Sequence, residues 1–490
     1  NARAGDFHTF DFRRVRDRAA LDLEVGERAA VTVGLDRYAK KGRSTASLSL
    51  QRDEFEVERP IDESSFETNV GFRYAWDRVT LSVEERYSEY ENAYELFLPG
   101  RSTGVFPEDQ TVVDFFFLDQ PYAFTSRSHS VRVVATPLDR LTVRASGTLQ
   151  GLDLDVEARE EAAGIGFTGA PFDTERVGQG AIERDLDLWD LDVTYLIGER
   201  WGLVAGSYLR SLDQEGELLF GGVPRRGQWD VQTRGFEGGV QWAPRRTIDL
   251  TVGLRRESRD VERGAVEDGP LTGLDETDTD QFGYFGTAAW KPSRELSFTL
   301  DWEDGSVDDP FTLASATDHG RLRASGRYTL DSGPWVSASY QRSRRENRNS
   351  GWEAEQDLAT LRVGYRNDRL NTHAGYSRID VDRRYDAEVE GTFGPPALFD
   401  VDYRMSSSFL DALIRFRAAD DVWVGGQLRH YDNDGSFGLI RQDHRVFAEY
   451  RFPAGYLARV GLRVVDYDEA EFDFDDYDAA ILDVGIGYTW

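Results

Sequence analysis

The chain repeats one pattern many times: apolar residues occupy every second position of a segment, and small or polar residues lie between them. A period of two is typical of a β-strand with one apolar and one polar face. The clearest hairpin comprises segment 66–76, a turn at 77–78 and segment 79–87. Its polar face carries Gly71 and Arg73. One such hairpin also fits a soluble sandwich, so the repetition of the pattern decides the fold.

Ten short turns lie between pairs of alternating segments. They are at 26–28, 77–78, 137–140, 198–200, 244–247, 292–295, 331–334, 367–369, 418–421 and 453–455. Longer polar connections alternate with them, at 93–127, 155–183, 259–279, 303–319, 380–405 and 466–478. Short periplasmic turns and long extracellular loops are typical of an outer-membrane barrel. We therefore predict an all-β fold, a single antiparallel transmembrane β-barrel domain over residues 1–490, located in the bacterial outer membrane.

The hairpins also predict the size of the barrel. Ten hairpins and a closing, descending strand at 479–490 require one further, rising strand, which we place at 5–14 within the N-terminal segment 1–17. The total is about 22 strands, in a range of about 20 to 26, because 43–58 could hold another pair. Such a barrel is roughly 44 Å wide, with a lumen of roughly 30 Å. Side chains alone do not fill that space, so a guest or inward-folded loops are expected.

Aromatic residues collect beside the short turns. In a transmembrane barrel such residues form a girdle at the membrane interface. The predicted periplasmic girdle comprises Trp76, Trp242, Trp290, Tyr365, Phe452, Tyr456 and the C-terminal residue Trp490. We expect deletion of Trp490 to impair assembly of the barrel.

Composition narrows the function further. There is no cysteine, which excludes disulfides, thiolate metal sites and covalent haem attachment. No segment has the roughly 20 apolar residues of a membrane helix, and mean hydropathy is −0.54. A net charge of −31 argues against nucleic acid as a partner. The sequence begins without a signal peptide, and we expect that one has been removed.

Arginines dominate the predicted lumen face. The candidate residues for lining a pore or contacting a guest are Arg73, Arg86, Arg144, Arg323, Arg327, Arg362, Arg415, Arg417, Arg451 and Arg463. Two interpretations stay open. The wall is water-filled and its charges pair across strands, or it holds a charged guest, because arginine pairs with carboxylates in a bidentate manner.

Metal and catalytic signals are weak. An acidic run contains the candidate ligands Asp466, Asp468, Glu471, Asp473, Asp475 and Asp476. It could bind Ca²⁺ or Mg²⁺, although it lacks EF-hand spacing and also fits a solvated loop. The six histidines are scattered, and no nucleophile elbow, phosphate-binding loop or dinucleotide fingerprint is present. We expect a protein that is not an enzyme.

Residues 43–98 resemble the MtrB/PioB family of outer-membrane porins. The resemblance runs through Arg43-Ser44-Thr45, the connection 59–63 (Arg-Pro-Ile-Asp-Glu), the hairpin 66–87 and the segment 87–92 (Tyr-Ser-Glu-Tyr-Glu-Asn). It implies a porin that sheathes a periplasmic multihaem c-type cytochrome in extracellular electron transfer. The haem would belong to that partner, and this chain would bind no cofactor itself.

Two functions follow as hypotheses. The first is the sheath of a porin–cytochrome electron conduit. The alternative is a general or substrate-selective diffusion porin for polar solutes, without a cytochrome guest. An adhesion barrel is a weaker third possibility. Residues 1–17 are too short for a plug, which argues against a gated transporter.

Overall fold

The computed structural model describes residues 11–104, 111–267, 275–310, 315–389, 397–435, 438–453, 455–469 and 477–488. The described residues form 23 strands in one antiparallel sheet and contain no helix. The all-β barrel prediction, with its expected number of strands, is confirmed. Among these residues no helix is long and apolar enough to cross a membrane.

The strands follow one another along the chain. They are β1 (Asp11–Val25), β2 (Ala29–Leu50), β3 (Asp53–Ala75), β4 (Val79–Asn92), β5 (Glu95–Phe97), β6 (Val112–Asp119), β7 (Tyr122–Leu138), β8 (Leu141–Ile165), β9 (Pro171–Ile197), β10 (Trp201–Phe220), β11 (Val223–Arg245), β12 (Ile248–Glu267), β13 (Asp275–Trp290), β14 (Leu296–Asp308), β15 (Asp318–Thr329), β16 (Pro334–Asn347), β17 (Trp352–Arg366), β18 (Leu370–Val389), β19 (Ala397–Ala419), β20 (Val422–Gly435), β21 (Leu439–Arg451), β22 (Tyr456–Glu469) and β23 (Tyr477–Tyr488).

Each strand pairs with its neighbour in sequence except around β5 and β6. Strand β4 pairs with β7, and the short β5–β6 hairpin bridges β3 and β8 above them. This hairpin is held by a small apolar core in which Phe116 and Val113 pack with Phe55 and Val57. The hairpin therefore continues the wall on the extracellular side, where β3 and β8 extend past the ends of β4 and β7.

The short turns lie where the alternation predicts them, but most long connections are not loops. The predicted loop at 155–183 is strand as far as Ile165 and again from Pro171. Segment 43–58 holds no extra pair, because β2 and β3 continue to a tight tip at Gln51 and Arg52. Above the membrane neither sheet face meets lipid, so these strands lack the apolar alternation that would reveal them.

The N-terminal prediction is also corrected. Residues 11–14 belong to β1, which pairs with β2 and descends to the turn after Val25, so they do not form a rising strand. Residues 1–10 lie outside the described residues. At the other end, β23 ends on the short-turn side, and its role as the closing strand stays a prediction. Trp490 lies outside the described residues.

Side-chain contacts show which face of the sheet is concave. Charged side chains on strands two apart meet over an intervening glycine. Arg445 contacts Asp483 at 2.8 Å over Gly461. Such contacts are favoured on the concave face of a curved sheet, where side chains converge. The charged face therefore lines the lumen, and the alternating apolar face, including Ile486 at 81% exposure, points towards lipid.

Candidate functional site: the charged lumen wall

The wall from β15 to β23 is strongly basic on its lumen face. Strand parity places Arg321, Arg323, Arg327, Arg345, Arg362, Arg366, Arg383, Arg415, Arg417, Arg429, Arg441, Arg445, Arg451, Arg459 and Arg463 on this face. The acids with described side chains on this face are Asp411, Asp443, Glu449 and Asp483. We call this region the basic half. It is basic although the whole chain carries a net charge of −31.

The wall from β8 to β14 is different, and we call it the balanced half. Its lumen-facing arginines are Arg144, Arg176, Arg184, Arg210, Arg225, Arg255, Arg259 and Arg263. Its lumen-facing acids are Glu160, Asp190, Asp192, Glu237, Asp249, Glu257, Asp275, Asp301 and Glu303. Positive and negative groups are therefore nearly equal in number here.

Arg255 is the centre of the balanced half. Its guanidinium pairs with Glu237 on the neighbouring strand β11 at 2.8 Å and with Glu303 on β14, two strands away, at 3.0 Å. Glu303 also accepts from Arg321 at 2.9 Å and lies 3.9 Å from His319. The carboxylates on this wall are thus neutralised by the wall itself, which makes the cluster a structural network.

In the basic half, few acids serve many arginines. Glu449 pairs with Arg415 and lies 3.7 Å from Arg459, while Asp443 pairs with Arg463 at 2.6 Å. Among the described side chains, fifteen lumen-facing arginines share four lumen-facing acids in this half. The wall therefore does not neutralise its own positive charge, and a positive potential extends into the lumen.

A buried acid lies within the basic half. Asp411 is 7% exposed, and one carboxylate oxygen lies 3.0 Å from His373 Nε2. Its other oxygen is 3.9 Å from Arg362 Nε. Gly375 provides the space for this arrangement, because a Cβ there would lie 2.6 Å from the Asp411 oxygen. The pair is held within the wall, which favours a positioning role over direct ligand contact.

The ten predicted lumen arginines all lie on the charged face, and seven of them fall in the basic half. Arg86 pairs with Glu84 at 3.1 Å, and Arg73 lines a cavity of about 480 Å³. Arg327 stacks over Trp335, and Arg417 donates to the Asp420 carbonyl at 3.0 Å. Their contact with a guest or solute stays a prediction.

The other predicted sites are placed only in part. Trp76, Trp242 and Trp290 are exposed beside short turns, and Trp242 stacks on Trp201. Their girdle role stays a prediction. Asp466 and Asp468 lie on β22. The remaining candidate metal ligands, Glu471, Asp473, Asp475 and Asp476, lie outside the described residues. No acid or histidine cluster suited to a metal occurs in the part of the chain that the structure describes.

Sequence reasoning missed the Arg255 network and the pair of His373 and Asp411. Both join residues on different strands whose contact depends on the register. One usable signal is glycine on the lumen face, because the contact of Arg255 with Glu303 passes over Gly283 and that of Arg362 with Asp411 passes over Gly375.

A single 23-stranded antiparallel sheet with a lipid-facing apolar belt defines the protein as an outer-membrane β-barrel. No protein-family model and no curated protein matches the sequence. Solved structures do match its fold. The closed form of the ferric-catecholate import receptor Fiu from E. coli K12 has a TM-score of 0.59 at 11% identity, over 98% of this chain and 81% of that one.

Two further structures are similar in the same way. The siderophore receptor PiuA from Acinetobacter baumannii gives a TM-score of 0.59 at 10% identity, over 96% of this chain and 79% of that one. The iron transporter FrpB from Neisseria meningitidis gives a TM-score of 0.58 at 10% identity, over 97% of this chain and 79% of that one. Identities this low show a shared fold alone.

These likenesses overturn part of the sequence interpretation. The solved structures are metal-uptake receptors and transporters, so the resemblance to MtrB/PioB porins is wrong, and with it the electron conduit and its cytochrome partner. The diffusion porin fits them less well. The short Pro60-Ile61-Asp62-Glu63 match lies within one strand of the β2–β3 hairpin, so it carries no information on the architecture of the whole wall. The outer-membrane location and the absence of enzymatic activity agree with these structures.

Proposed function

We propose that this chain forms the wall of an outer-membrane receptor that takes up an anionic metal chelate. The basic half carries the proposal, because its arginines outnumber the acids that could neutralise them. A wall of this kind raises the local concentration of anions and speeds their association. Ferric complexes of carboxylate and catecholate ligands are anions of suitable size.

The fold supports the same function. The structures similar to this chain include a ferric-catecholate import receptor, a siderophore receptor and an iron transporter. The expectation that argued against an active transporter rested on the shortness of residues 1–17. We do not retain it, since the wall matches receptor walls over nearly its whole length.

A chelate is favoured over a bare soft metal ion. A copper transporter, OprC, is also among the similar structures. This chain has one methionine, six histidines and no cysteine, so it offers few of the ligands that copper prefers. Arginine does not ligate metals, but it does bind the carboxylates and phenolates of a chelator.

The test is a binding measurement with two ferric complexes of opposite charge. Isothermal titration of the purified barrel in detergent should show anionic ferric citrate binding at least tenfold more tightly than cationic ferrioxamine B at low salt. The double variant Arg445→Gln with Arg459→Gln should weaken ferric citrate binding at least tenfold, since a charge-assisted contact contributes about 1.5–3 kcal/mol.

The matched control is Arg144→Gln in the balanced half, which should leave ferric citrate binding within about twofold of wild type, since acids such as Asp192 offset the arginines there. Equal affinity for the two complexes, or equal losses in the two variants, would contradict the proposal.

A further inference from the structure

A pocket lies on the inner face of the β8–β12 sheet, beyond the lipid-facing belt. On β10 the apolar belt ends near Leu209, and the pocket begins several residues further on, at Gly216. Gly216 faces Gly227 directly across the β10–β11 ladder. Two adjacent glycines therefore form a flat floor of backbone, with a cavity of about 720 Å³ above it.

Apolar side chains stand next to this floor, with polar and charged ones around them. Trp229 and Leu218 stand beside the glycines and are 36% and 40% exposed, and Ile182 lies on the next strand. At the edge Arg263 pairs with Asp275 at 3.7 Å, and Arg225 lies alongside. Large apolar groups exposed to water outside the lipid belt are unfavourable unless something covers them.

Two other lumen glycines in this wall are covered by an aromatic ring of the chain itself. A Cβ at Gly235 would lie 2.0 Å from the ring of Tyr208, and one at Gly253 would lie 2.4 Å from Phe285. At Gly227 the nearest atom would be the Gly264 carbonyl oxygen, at 3.8 Å. The floor at Gly216 and Gly227 therefore has the same construction without a covering ring.

We propose that this glycine-floored pocket binds a flat aryl arm of the incoming chelate, and this inference rests on the proposed function. Backbone at the two glycines lets a ring lie at van der Waals distance, with Trp229 as an aromatic neighbour. Arg225 and Arg263 at the edge suit the phenolate oxygens of that arm. The chelate would thus carry catechol or hydroxyphenyl groups and meet this pocket before reaching the basic half.

The test compares an aryl chelate with one that lacks rings. Isothermal titration would use ferric tris(2,3-dihydroxybenzoate) and ferric citrate on the purified barrel. Gly227→Leu places a side chain in open space and should weaken aryl chelate binding at least tenfold while leaving ferric citrate unchanged. Gly238→Leu is the matched control on the outer face of the same strand, where nothing lies within 4 Å. It should change neither affinity.

Trp229→Ala provides a second variant that does not depend on Gly227→Leu folding, and it should also weaken only the aryl chelate. The inference is overturned if either variant leaves the aryl chelate unchanged, or if both chelates weaken equally. If neither chelate binds wild-type protein, the proposed function itself fails. If ferric citrate binds but the aryl chelate does not, only the pocket assignment fails.

Discussion

The two halves of the lumen wall use arginine in different ways. In the balanced half Arg255 lies between Glu237 and Glu303, so each charge is neutralised by the wall. In the basic half Arg415 and Arg459 share the single carboxylate of Glu449. The same side chain thus stabilises one half and leaves an unneutralised positive charge in the other.

Because of this difference, the charges of the balanced half affect mainly the stability of the fold, and those of the basic half affect mainly the binding of anions. Removing one partner of a half-buried ion pair leaves the other charge without compensation, which destabilises the fold. Removing one of many like charges relieves repulsion but weakens the field that attracts an anion. Equivalent substitutions in the two halves should therefore affect different measurements.

The largest expected effect is on the stability of the balanced half. Arg255→Gln would leave Glu237 without its cation and Glu303 with Arg321 alone. Breaking a buried pair costs about 3–5 kcal/mol, and since a third of Arg255 is exposed we expect about 2 kcal/mol. Urea unfolding in detergent, followed by tryptophan fluorescence, measures the change.

The control is Arg441→Gln in the basic half, where the arginine faces Tyr431 and Tyr467 across the ladder. We expect a change within about 0.5 kcal/mol. Equal destabilisation by the two substitutions would show that arginine contributes equally to the stability of the two halves.

The sequence predicts the membrane-spanning part of this wall well and the part above it poorly. Within the membrane, lipid forces an apolar residue at every second position, so Phe72, Tyr74 and Trp76 reveal their strand and its turn. Above the membrane both faces meet water. Strands such as β9 there carry acids on one face and mixed residues on the other, so 155–183 looks like a loop.

The sequence also predicts the charged lumen wall only in part. Alternation places Arg415 and Arg463 on the lumen face, but it does not give the register that brings Arg445 to Asp483 across β22. The imbalance between the halves also depends on which strand neighbours which. A local motif such as residues 60–63 does not predict the function, because no single stretch of sequence encodes the architecture of the wall.

An intermediate effect is expected on binding in the basic half. Glu449→Gln releases Arg415 and Arg459 from their shared carboxylate, so affinity for ferric citrate should rise about fivefold at low salt and less at 0.5 M salt. Titration at the two salt concentrations measures it. Glu303→Gln in the balanced half should give no such gain, and a comparable gain there would remove the distinction between the halves.

The contrast continues on the outer face above the lipid belt. On β9 to β13 acids stand side by side across the ladder: Asp185, Asp213, Asp230, Glu262 and Glu276. On β16 to β19 arginines and acids alternate, with Arg344 3.0 Å from Glu353 and Arg378 3.0 Å from Asp380. Like charges in register repel, while alternating charges attract.

The smallest expected effect follows from this contrast. Burial, and then the charge of Asp213, raise the pKa of Asp230. Arg378 and Ser406 lower the pKa of Asp380 by hydrogen bonding. Asp230 therefore stabilises the fold below its ordinary pKa and loses that contribution as pH rises through its raised value. Asp380 stabilises the fold above its ordinary pKa and loses that contribution as pH falls through its lowered value.

At pH 7.5, Asp230→Asn should slow hydrogen exchange of the β10–β11 amides about twofold, whereas Asp380→Asn should speed exchange around β18 by a similar factor. At pH 3, where the Asp230 carboxyl is protonated, the first effect should vanish. Both residues lie on the outer face above the belt, and the two variants contrast an acid among acids with an acid beside an arginine. Changes of the same sign in the two variants would mean that charge order does not set the local stability of this sheet.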